Sequence, residues 1–218
     1  MNFQNKQYIL FDMDGTVSDS LMGLAKSFQF ALKSFGIMVN DAEELRQLMG
    51  APVAVSFRDV YGFDEGAVKL AVTSMRSYYE SNGIFDAEPF PGIPELLRDL
   101  KAAGKTLVIA SSKPLIYSKQ ILEHFGFLDV FSFVSGDELA GGRGEKSQVI
   151  KYALDNVYGI TPENALMIGD RFYDVEGAHS NGVACIAVLY GYGSEEELRS
   201  AGADAFAANS AELRAMLL

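Results

Sequence analysis

The sequence predicts an α/β protein whose core is an open, mostly parallel sheet, with an all-helical segment inserted after the first strand. Two observations predict the sheet: short, continuous apolar runs recur along the chain, and segments of helical periodicity separate them. Strands that are buried on both faces of a parallel sheet show such runs, and alternation with helices favours right-handed crossovers. A third observation predicts the insertion, because residues from about 20 to 82 show only helical periodicity.

The elements of the core follow from these patterns. The predicted strands are Tyr8–Phe11, Thr106–Ala110, Phe131–Val134, Ala165–Ile168 and Cys185–Leu189. The predicted helices between them are Ile93–Ala103, which Gly104 ends, then Pro114–Phe125, Lys146–Val157 and Asp174–Ser180. Because open α/β sheets bind ligands at the carboxyl ends of their strands, the residues that follow these strands are the candidates for a functional site.

The inserted segment is predicted to contain only helices. Its helical stretches are Leu21–Phe35, Asp41–Met49, Ala54–Tyr61 and Glu65–Tyr79. Asp19 and Ser20 suit a helix cap at its start, and Asn82 and Gly83 form a breaker pair at its end. We therefore expect a helical cap domain at 19–83 and an α/β core made of 1–18 and 84–218. The hinges of a cap that opens and closes are expected near 18–20 and 82–85.

Composition and charge restrict the class of protein. The 218 residues are 49% hydrophobic, and 18 Lys and Arg against 29 Asp and Glu give a net charge of −11. Such a charge repels nucleic acid polymers and anionic membrane surfaces, so neither is an expected partner. The single cysteine, Cys185, lies in an apolar run, where we expect it to be a buried hydrophobic residue. A reducing, cytoplasmic location is expected, since no disulfide can form within the chain and no apolar window is long enough for a membrane span.

The first candidate site follows the first predicted strand. Asp12 and Asp14 leave its carboxyl end together, and Gly15 allows the loop to bring both carboxylates toward one point. Two carboxylates this close repel one another unless a cation lies between them. A simple capped turn is the alternative, because Asp and Gly are common turn residues.

Polar residues also follow three later strands. Ser111 and Ser112 come after the second strand, where the backbone N–H groups of a helix start suit a phosphate oxygen. The alternative is that Ser111 is simply the cap of that helix. Lys146 opens a helix, an unfavourable position for a cation that a nearby anion would explain, although a solvated lysine is the alternative. Asp170 and Asp174 follow the fourth strand, and Asp174 could cap its helix. Each of these residues has a structural alternative when it is taken alone. It is much less probable that all of them follow strands of one sheet by chance.

This ordered set of residues resembles a known family. The stretches DMDGT, ASSKP, Lys146 and GDRFYD are similar to the four motifs of the haloacid dehalogenase-like hydrolases, and the resemblance covers essentially the whole chain. It implies a Rossmann-like core with an inserted helical cap. The stretches FPGIPELLRDLKAAGKTLVIASSKP, GDRFYDVEGAHSNGV and GYGSEEEL look most like phosphoglycolate phosphatases, and a branch of 5′-nucleotidases looks similar in the same places.

The resemblance implies a role for each motif residue. Asp12 would be the nucleophile that forms an aspartyl-phosphate, and Asp14 would be the general acid and then the general base. Ser111 would hydrogen-bond the transferring phosphoryl group, and Lys146 would neutralise the charge of Asp12 and phosphate. The implied ligands of Mg²⁺ are Asp12, Asp14 (through its backbone carbonyl) and Asp170. Asp174 would lie nearby, either as a further ligand or as a residue that contacts a ligand. The implied substrate contacts are Gly15, Ser111, Ser112 and Lys146.

The expected function is a Mg²⁺-dependent phosphoric monoester hydrolase that acts on a small phosphorylated metabolite, first phosphoglycolate and alternatively a nucleoside monophosphate. A sugar phosphomutase and a silent binding protein are the remaining alternatives, and the chain is expected to be a monomer or a homodimer. Two residues depart from the family pattern: Arg171 stands where many relatives carry Ser, and Ser112 where many carry Asn. A second anionic group on the substrate could be bound by Arg46, Arg58 or Lys113. For each of these residues, however, we expect a solvated surface charge.

Overall fold

The structure, a computed structural model, describes residues 2–139 and 141–218. The chain divides into two compact units. One unit contains the residues up to Asp19 together with Pro89–Leu218, and the other contains Ser20–Glu88. The residues that follow the predicted strands all belong to the first unit.

The first unit is built on a six-stranded parallel sheet. The strands of the whole protein are, in chain order, β1 (Tyr8–Phe11), β2 (Ser18–Asp19), β3 (Glu88–Pro89), β4 (Thr106–Pro114), β5 (Phe133–Asp137), β6 (Ala165–Gly169), β7 (Ala184–Val188) and β8 (Ala205–Ala207). The large sheet has the order β5-β4-β1-β6-β7-β8, and β2 pairs with β3. Every neighbouring pair of the large sheet is parallel. The predicted open, parallel α/β core is confirmed.

The position of β1 explains its sequence. β1 lies between β4 and β6, and Tyr8 is in register with Thr106 on one side and with Ala165 on the other. Ile9, Leu10 and Phe11 are fully buried because both faces of this central strand are covered. The carboxyl ends of β1, β4 and β6 therefore meet at one edge of the sheet.

Two strands differ from the prediction by more than one residue. β4 continues past Ala110 to Pro114, with a shift of its register against β5 between these two residues. The residues after Ala110 are thus in the strand and not at a helix start. β5 begins at Phe133 and not at Phe131, because Phe131 is buried against the ring of Phe11, 6.2 Å between centroids, and serves core packing.

The helices of the protein are, in chain order, α1 (Leu21–Lys33), α2 (Val53–Asp59), α3 (Glu65–Tyr78), α4 (Ile93–Ala102), α5 (Leu115–His124), α6 (Lys146–Asn156), α7 (Phe172–His179), α8 (Glu195–Ser200) and α9 (Ser210–Leu217). The elements that were not predicted are β2, β3, β8, α8 and α9. Each is short, and α8 and α9 are identified by their caps: Ser194 accepts from Glu197 N–H and Asn209 accepts from Glu212 N–H.

The second unit is helical. It contains α1, α2, α3, a 3₁₀ helix at Glu43–Leu48 where an α-helix was expected, and a π-helical turn at Tyr79–Gly83. Its aromatic core centres on Phe57, whose ring lies 5.2 Å from that of Phe28 and 5.8 Å from that of Phe63. These ring contacts all lie within the second unit.

The core of the first unit includes Cys185, which is fully buried beside Met167 and Leu10, as expected. Burial raises the pKa of the Cys185 thiol well above its ordinary value, so the reactive thiolate is disfavoured. Within residues 2–139 and 141–218, no helix combines the length and apolar character needed to cross a bilayer.

Candidate active site

The loop after β1 places two carboxylates in different surroundings. Asp12 follows the strand directly, is buried, and continues the sheet because its N–H donates to Ile168 O at 2.9 Å. Gly15 has φ +86°, and a Cβ atom built on it would lie 2.2 Å from Asp170 Oδ2. Only glycine therefore allows this loop to turn here and approach the end of β6 so closely.

Lys146 links two buried carboxylates. Its Nζ lies 2.6 Å from Asp12 Oδ1 and 2.8 Å from Asp174 Oδ1, and it donates to the carbonyl of Ala110 at 3.2 Å. The side chain is only 4% exposed, so the alternative of a solvated surface lysine is wrong. The two anions explain why a cation is tolerated at the first residue of α6.

Asp174 has two structural tasks. Its Oδ2 accepts hydrogen bonds from the backbone N–H groups of Asp170, 3.1 Å, and Arg171, 3.0 Å, so it closes the N-terminus of α7. Its Oδ1 pairs with Lys146. Capping and participation in the charged cluster are therefore combined in one side chain and are not alternatives.

Asp170 is fully buried and is held by neutral donors. Thr16 Oγ1 donates to its Oδ1 at 3.1 Å, and the N–H of Tyr192 donates to its Oδ2 at 2.8 Å. Thr16 and Tyr192 were not among the predicted site residues. Both lie in stretches that carried the family resemblance, DMDGT and GYGSEEEL, so a signal for them was present in the sequence.

Burial sets the protonation behaviour of the cluster. Loss of solvent raises the pKa of Asp12 to about 6, with Lys146 opposing the shift and Asp174 adding to it. Burial also raises the pKa of Asp170 well above its ordinary value, and Asp174 and Asp12 add to that shift. Burial alone would lower the pKa of Lys146, but the adjacent charges of Asp12 and Asp174 raise it, so this residue stays cationic.

The carboxylates of Asp12, Asp170 and Asp174 form a group that could hold a metal ion. One oxygen from each lies within 4.8 Å of the others. Three carboxylates and one lysine leave an excess of two negative charges when all are ionised. Oxygen ligands with this charge suit a divalent hard cation, and such a cation would reverse the unfavourable burial of Asp170.

The predicted residues of β4 lie at the same sheet edge. Ser111 is 2% exposed and its Oγ accepts from the N–H of Lys113 at 3.3 Å, while Ser112 is half-buried. Asp12 is close enough to Ser111 for a side-chain hydrogen bond that favours the ionised carboxylate. The strand end thus brings Ser111 to the cluster without a helix start at this residue, so the alternative that Ser111 only caps a helix is wrong.

Asp14 takes a different position from its neighbours in the motif. Lys113 Nζ lies 2.9 Å from its Oδ1 and 2.8 Å from its Oδ2. Among the described residues, the Asp14 carboxylate is not part of the group of three acids. The expectation that Lys113 is a solvated surface charge is wrong, because its side chain is 4% exposed and faces this carboxylate.

Three arginines that the sequence singled out differ in their surroundings. Arg171, which departs from the family pattern, is buried and its Nε donates to Glu197 Oε1 at 2.8 Å, so it pairs with an acidic neighbour at the start of α8. Arg46 is half-buried and pairs with Glu43, and Arg58 is exposed. Both arginines belong to the second unit; the exposure of Arg58 agrees with a solvated surface charge, and 39% of the Arg46 side chain remains exposed.

Comparison with known proteins now adds a family. Residues 9–188 match the family described as "Haloacid dehalogenase-like hydrolase". A 5′-nucleotidase of Pseudomonas aeruginosa is 43% identical over 209 residues, 96% of this chain and 94% of that protein. A predicted phosphatase from Clostridium acetobutylicum has a crystal structure with a TM-score of 0.93 and 42% identity, covering 96% of this chain and 97% of the other. A phosphoglycolate phosphatase of Colwellia psychrerythraea is 27% identical over 210 residues, 93% of this chain and 92% of that protein.

The chain belongs to the haloacid dehalogenase-like hydrolase family. The family resemblance that the four motifs indicated is confirmed, as is the enzyme class, a phosphoric monoester hydrolase. Both branches that the sequence resembles are represented among the relatives, with the higher identity on the side of the 5′-nucleotidase.

Proposed function

We propose that this protein is a Mg²⁺-dependent phosphatase that hydrolyses a small phosphorylated metabolite through an aspartyl-phosphate intermediate. The observation that carries the proposal is the buried Asp12 carboxylate, which is paired with Lys146 and lies beside Asp170 and Asp174 at the edge of the sheet. A carboxylate that only stabilises the fold would gain nothing from being placed among other buried acids.

In the first step, a carboxylate oxygen of Asp12 attacks the phosphorus atom, and the bond between phosphorus and the ester oxygen breaks. The leaving alkoxide takes a proton from the carboxyl group of Asp14. Lys146 stays cationic and offsets the charge of Asp12 and of the phosphate as they approach. Covalent catalysis of this kind divides one difficult displacement into two easier ones.

In the second step, a water molecule gives a proton to the Asp14 carboxylate and its oxygen bonds to phosphorus. The bond between phosphorus and Asp12 breaks, and its electron pair returns to the Asp12 carboxylate. Asp14 then carries the proton that the next leaving group needs. The same group thus acts as acid and as base in alternate steps.

Asp12, Asp170 and Asp174 would hold Mg²⁺, together with the backbone carbonyl of Asp14. When bound, the ion supplies electrostatic stabilisation of the charge on the phosphoryl oxygens. Ser111 hydrogen-bonds the phosphoryl group, and the backbone at Gly15 and the side chains of Ser112 and Lys146 complete the phosphate pocket. The position of Ser111 and Lys146 supports this assignment, because both are buried donors next to the Asp12 carboxylate.

The helical unit acts as a cap that selects the substrate. The motif stretches favour phosphoglycolate, while the 43% identity to a protein named 5′-nucleotidase favours a nucleoside monophosphate over it. The two substrates differ in size and in the group next to the phosphate ester. Because the residues after the strands bind only the phosphate, the choice between the two substrates belongs to the other unit.

The test is phosphate release from a panel of phosphoglycolate, nucleoside monophosphates and sugar phosphates. Each substrate is measured with Mg²⁺ and with excess chelator. We expect release that requires Mg²⁺, with a preference for one class. A sugar phosphate that is isomerised without phosphate release would identify a phosphomutase, and a folded protein that releases no phosphate would contradict the proposal.

A further inference from the structure

The Asp14 carboxylate is held by a buried lysine that the sequence pattern did not assign to the site. Lys113 Nζ lies within 2.9 Å of both carboxylate oxygens. The lysine side chain is 4% exposed and that of Asp14 is 14% exposed. A pair so well covered is screened little by solvent, and two contacts to one carboxylate restrict its rotation more than a single contact would.

The pair also joins two neighbouring strand ends. Lys113 lies in the last part of β4 and Asp14 lies in the loop after β1, two strands that are adjacent in the sheet. The backbone N–H of Lys113 donates to Ser111 Oγ, so one residue contacts two of the proposed catalytic groups. The register shift of β4 after Ala110 occurs in this same segment.

We propose that Lys113 is a positioning residue that holds the Asp14 carboxylate in the orientation needed for its proton transfers. The proposal rests on the proposed function. Lys113 acts through Asp14 and does not contact the reacting phosphorus. Without the lysine, the Asp14 carboxylate loses both of these contacts and is restrained less, on a loop that continues into Gly15. The proton transfers then start from a wider range of orientations, so kcat falls while substrate affinity stays the same.

The test is a double-mutant cycle on kcat with Lys113→Met, Asp14→Asn and the two together. General acid and base catalysis contributes roughly 10²- to 10⁴-fold, and we expect Lys113→Met to lose about 10- to 100-fold of this in kcat with KM little changed. Lys113→Arg keeps a cation with two parallel donors and is expected to restore most of the rate. In the Asp14→Asn background, Lys113→Met should have almost no further effect.

Controls separate positioning from structure. Lys151→Met removes an exposed lysine that also contacts both oxygens of an aspartate, Asp155, and is expected to leave kcat unchanged. Thermal unfolding of each variant shows whether it is folded, and Lys113→Gln replaces Lys113→Met if the apolar side chain prevents folding. Gln keeps an N–H donor group without the positive charge, so an intermediate kcat is expected from it.

Several outcomes overturn the proposal. An equal loss of kcat from Lys113→Met with and without Asp14 would show that Lys113 acts independently of Asp14. A higher KM with unchanged kcat would show that the lysine contacts the substrate. Failure of the proposed function is recognised separately, since a wild-type protein without phosphatase activity, or an active Asp12→Asn variant, would refute the function itself.

Discussion

Lys146 shows how one side chain can make a buried acidic cluster tolerable. Its ammonium group contacts Asp12 and Asp174 and also the Ala110 carbonyl, three acceptors from three parts of the chain. Removing one partner of a buried pair leaves an uncompensated charge, which typically costs about 3–5 kcal/mol. Replacing a whole buried ion pair by apolar side chains is often neutral or stabilising, so stability alone does not account for the cluster. Its excess of negative charge suits the Mg²⁺ ion proposed above.

Asp12→Asn tests the nucleophile. The amide is isosteric but a far weaker nucleophile, so phosphate release should fall to background while the fold is retained. The measurement is phosphate release together with the unfolding temperature, and Asp155→Asn, an exposed carboxylate paired with Lys151, is the control. Turnover near the wild-type value in Asp12→Asn would assign the nucleophile to another group.

The pH dependence of Mg²⁺ binding follows from the raised pKa of Asp12, about 6, and of Asp170. Mg²⁺ competes with protons for both carboxylates, so the ion should raise the unfolding temperature at pH 8 and have little effect at pH 5. The measurement is thermal unfolding with Mg²⁺ and with chelator at each pH. An equal stabilisation at both values would mean that the ion binds elsewhere.

The metal-free protein should show the opposite trend. Because the folded pKa of Asp12 lies above its unfolded value of 3.8, the folded state binds the proton more tightly. The stability that this group contributes is complete below pH 3.8 and is lost as the pH rises to about 6. Chemical unfolding of wild type and Asp12→Asn across this window measures it, and the difference in unfolding free energy between them should change with pH.

The loop after β1 and the end of β6 approach each other because residue 15 has no side chain. Gly15→Ala places a Cβ atom 2.2 Å from Asp170 Oδ2 on a backbone with φ +86°. Gly104→Ala is a matched control, since Gly104 has φ +81° in the same unit and nothing lies within 4 Å of its added Cβ atom.

Both alanine variants should lose the roughly 1–3 kcal/mol that left-handed backbone costs a residue with a side chain. Only Gly15→Ala should also lose Mg²⁺ binding and phosphate release, because it displaces Asp170. Unfolding free energies and Mg²⁺-dependent stabilisation measure the two effects. Equal activity in the two variants would show that the close approach is not required for the site.

Sequence reasoning located the elements that are long or strongly apolar, such as β1, whose bounds Tyr8–Phe11 match the prediction. The predicted elements were wrong where tertiary contacts determine whether a residue belongs to a strand. Phe131 was assigned to a strand because its apolar character could not be distinguished from that of a residue packed on Phe11. The three residues of β8 are too few for a pattern, and they form a strand because β7 offers them hydrogen-bond partners.

Some residues of the candidate site could be predicted from the sequence, and others could not. The strand-end rule placed Asp12, Ser111, Lys146 and Asp170 together because parallel strands end at one edge. It could not find Lys113, since a lysine beside a serine pair looks like a surface residue until β4 is seen to continue through it. Nor could it find Tyr192, which reaches Asp170 through its backbone N–H, a group that every residue except proline carries.

The whole molecule divides the proposed chemistry between its units. The groups proposed to transfer the phosphate lie in the sheet unit, and residues 20–88 form a second compact unit with aromatic contacts inside it. A compact continuous segment can be exchanged as a block. This division predicts that catalysis and substrate choice are separable.

Exchanging residues 20–88 for the corresponding segment of a phosphoglycolate phosphatase tests that division. We expect the chimera to keep Mg²⁺-dependent phosphate release and to change its preference within the substrate panel toward phosphoglycolate. The ratio of kcat/KM between phosphoglycolate and nucleoside monophosphates measures the change, with the reverse exchange as the control. A folded, active chimera with the wild-type preference would place substrate choice in the sheet unit.

The central claim is that a phosphoryl group is carried on Asp12. The most direct measurement is acid quenching of the enzyme during turnover, followed by proteolysis and mass spectrometry of the peptide that contains Asp12. We expect this peptide to gain the mass of one phosphoryl group and Asp12→Asn to abolish the gain. A phosphoryl group on another residue during turnover would contradict the proposed aspartyl-phosphate at Asp12, as would a gain that persists in Asp12→Asn.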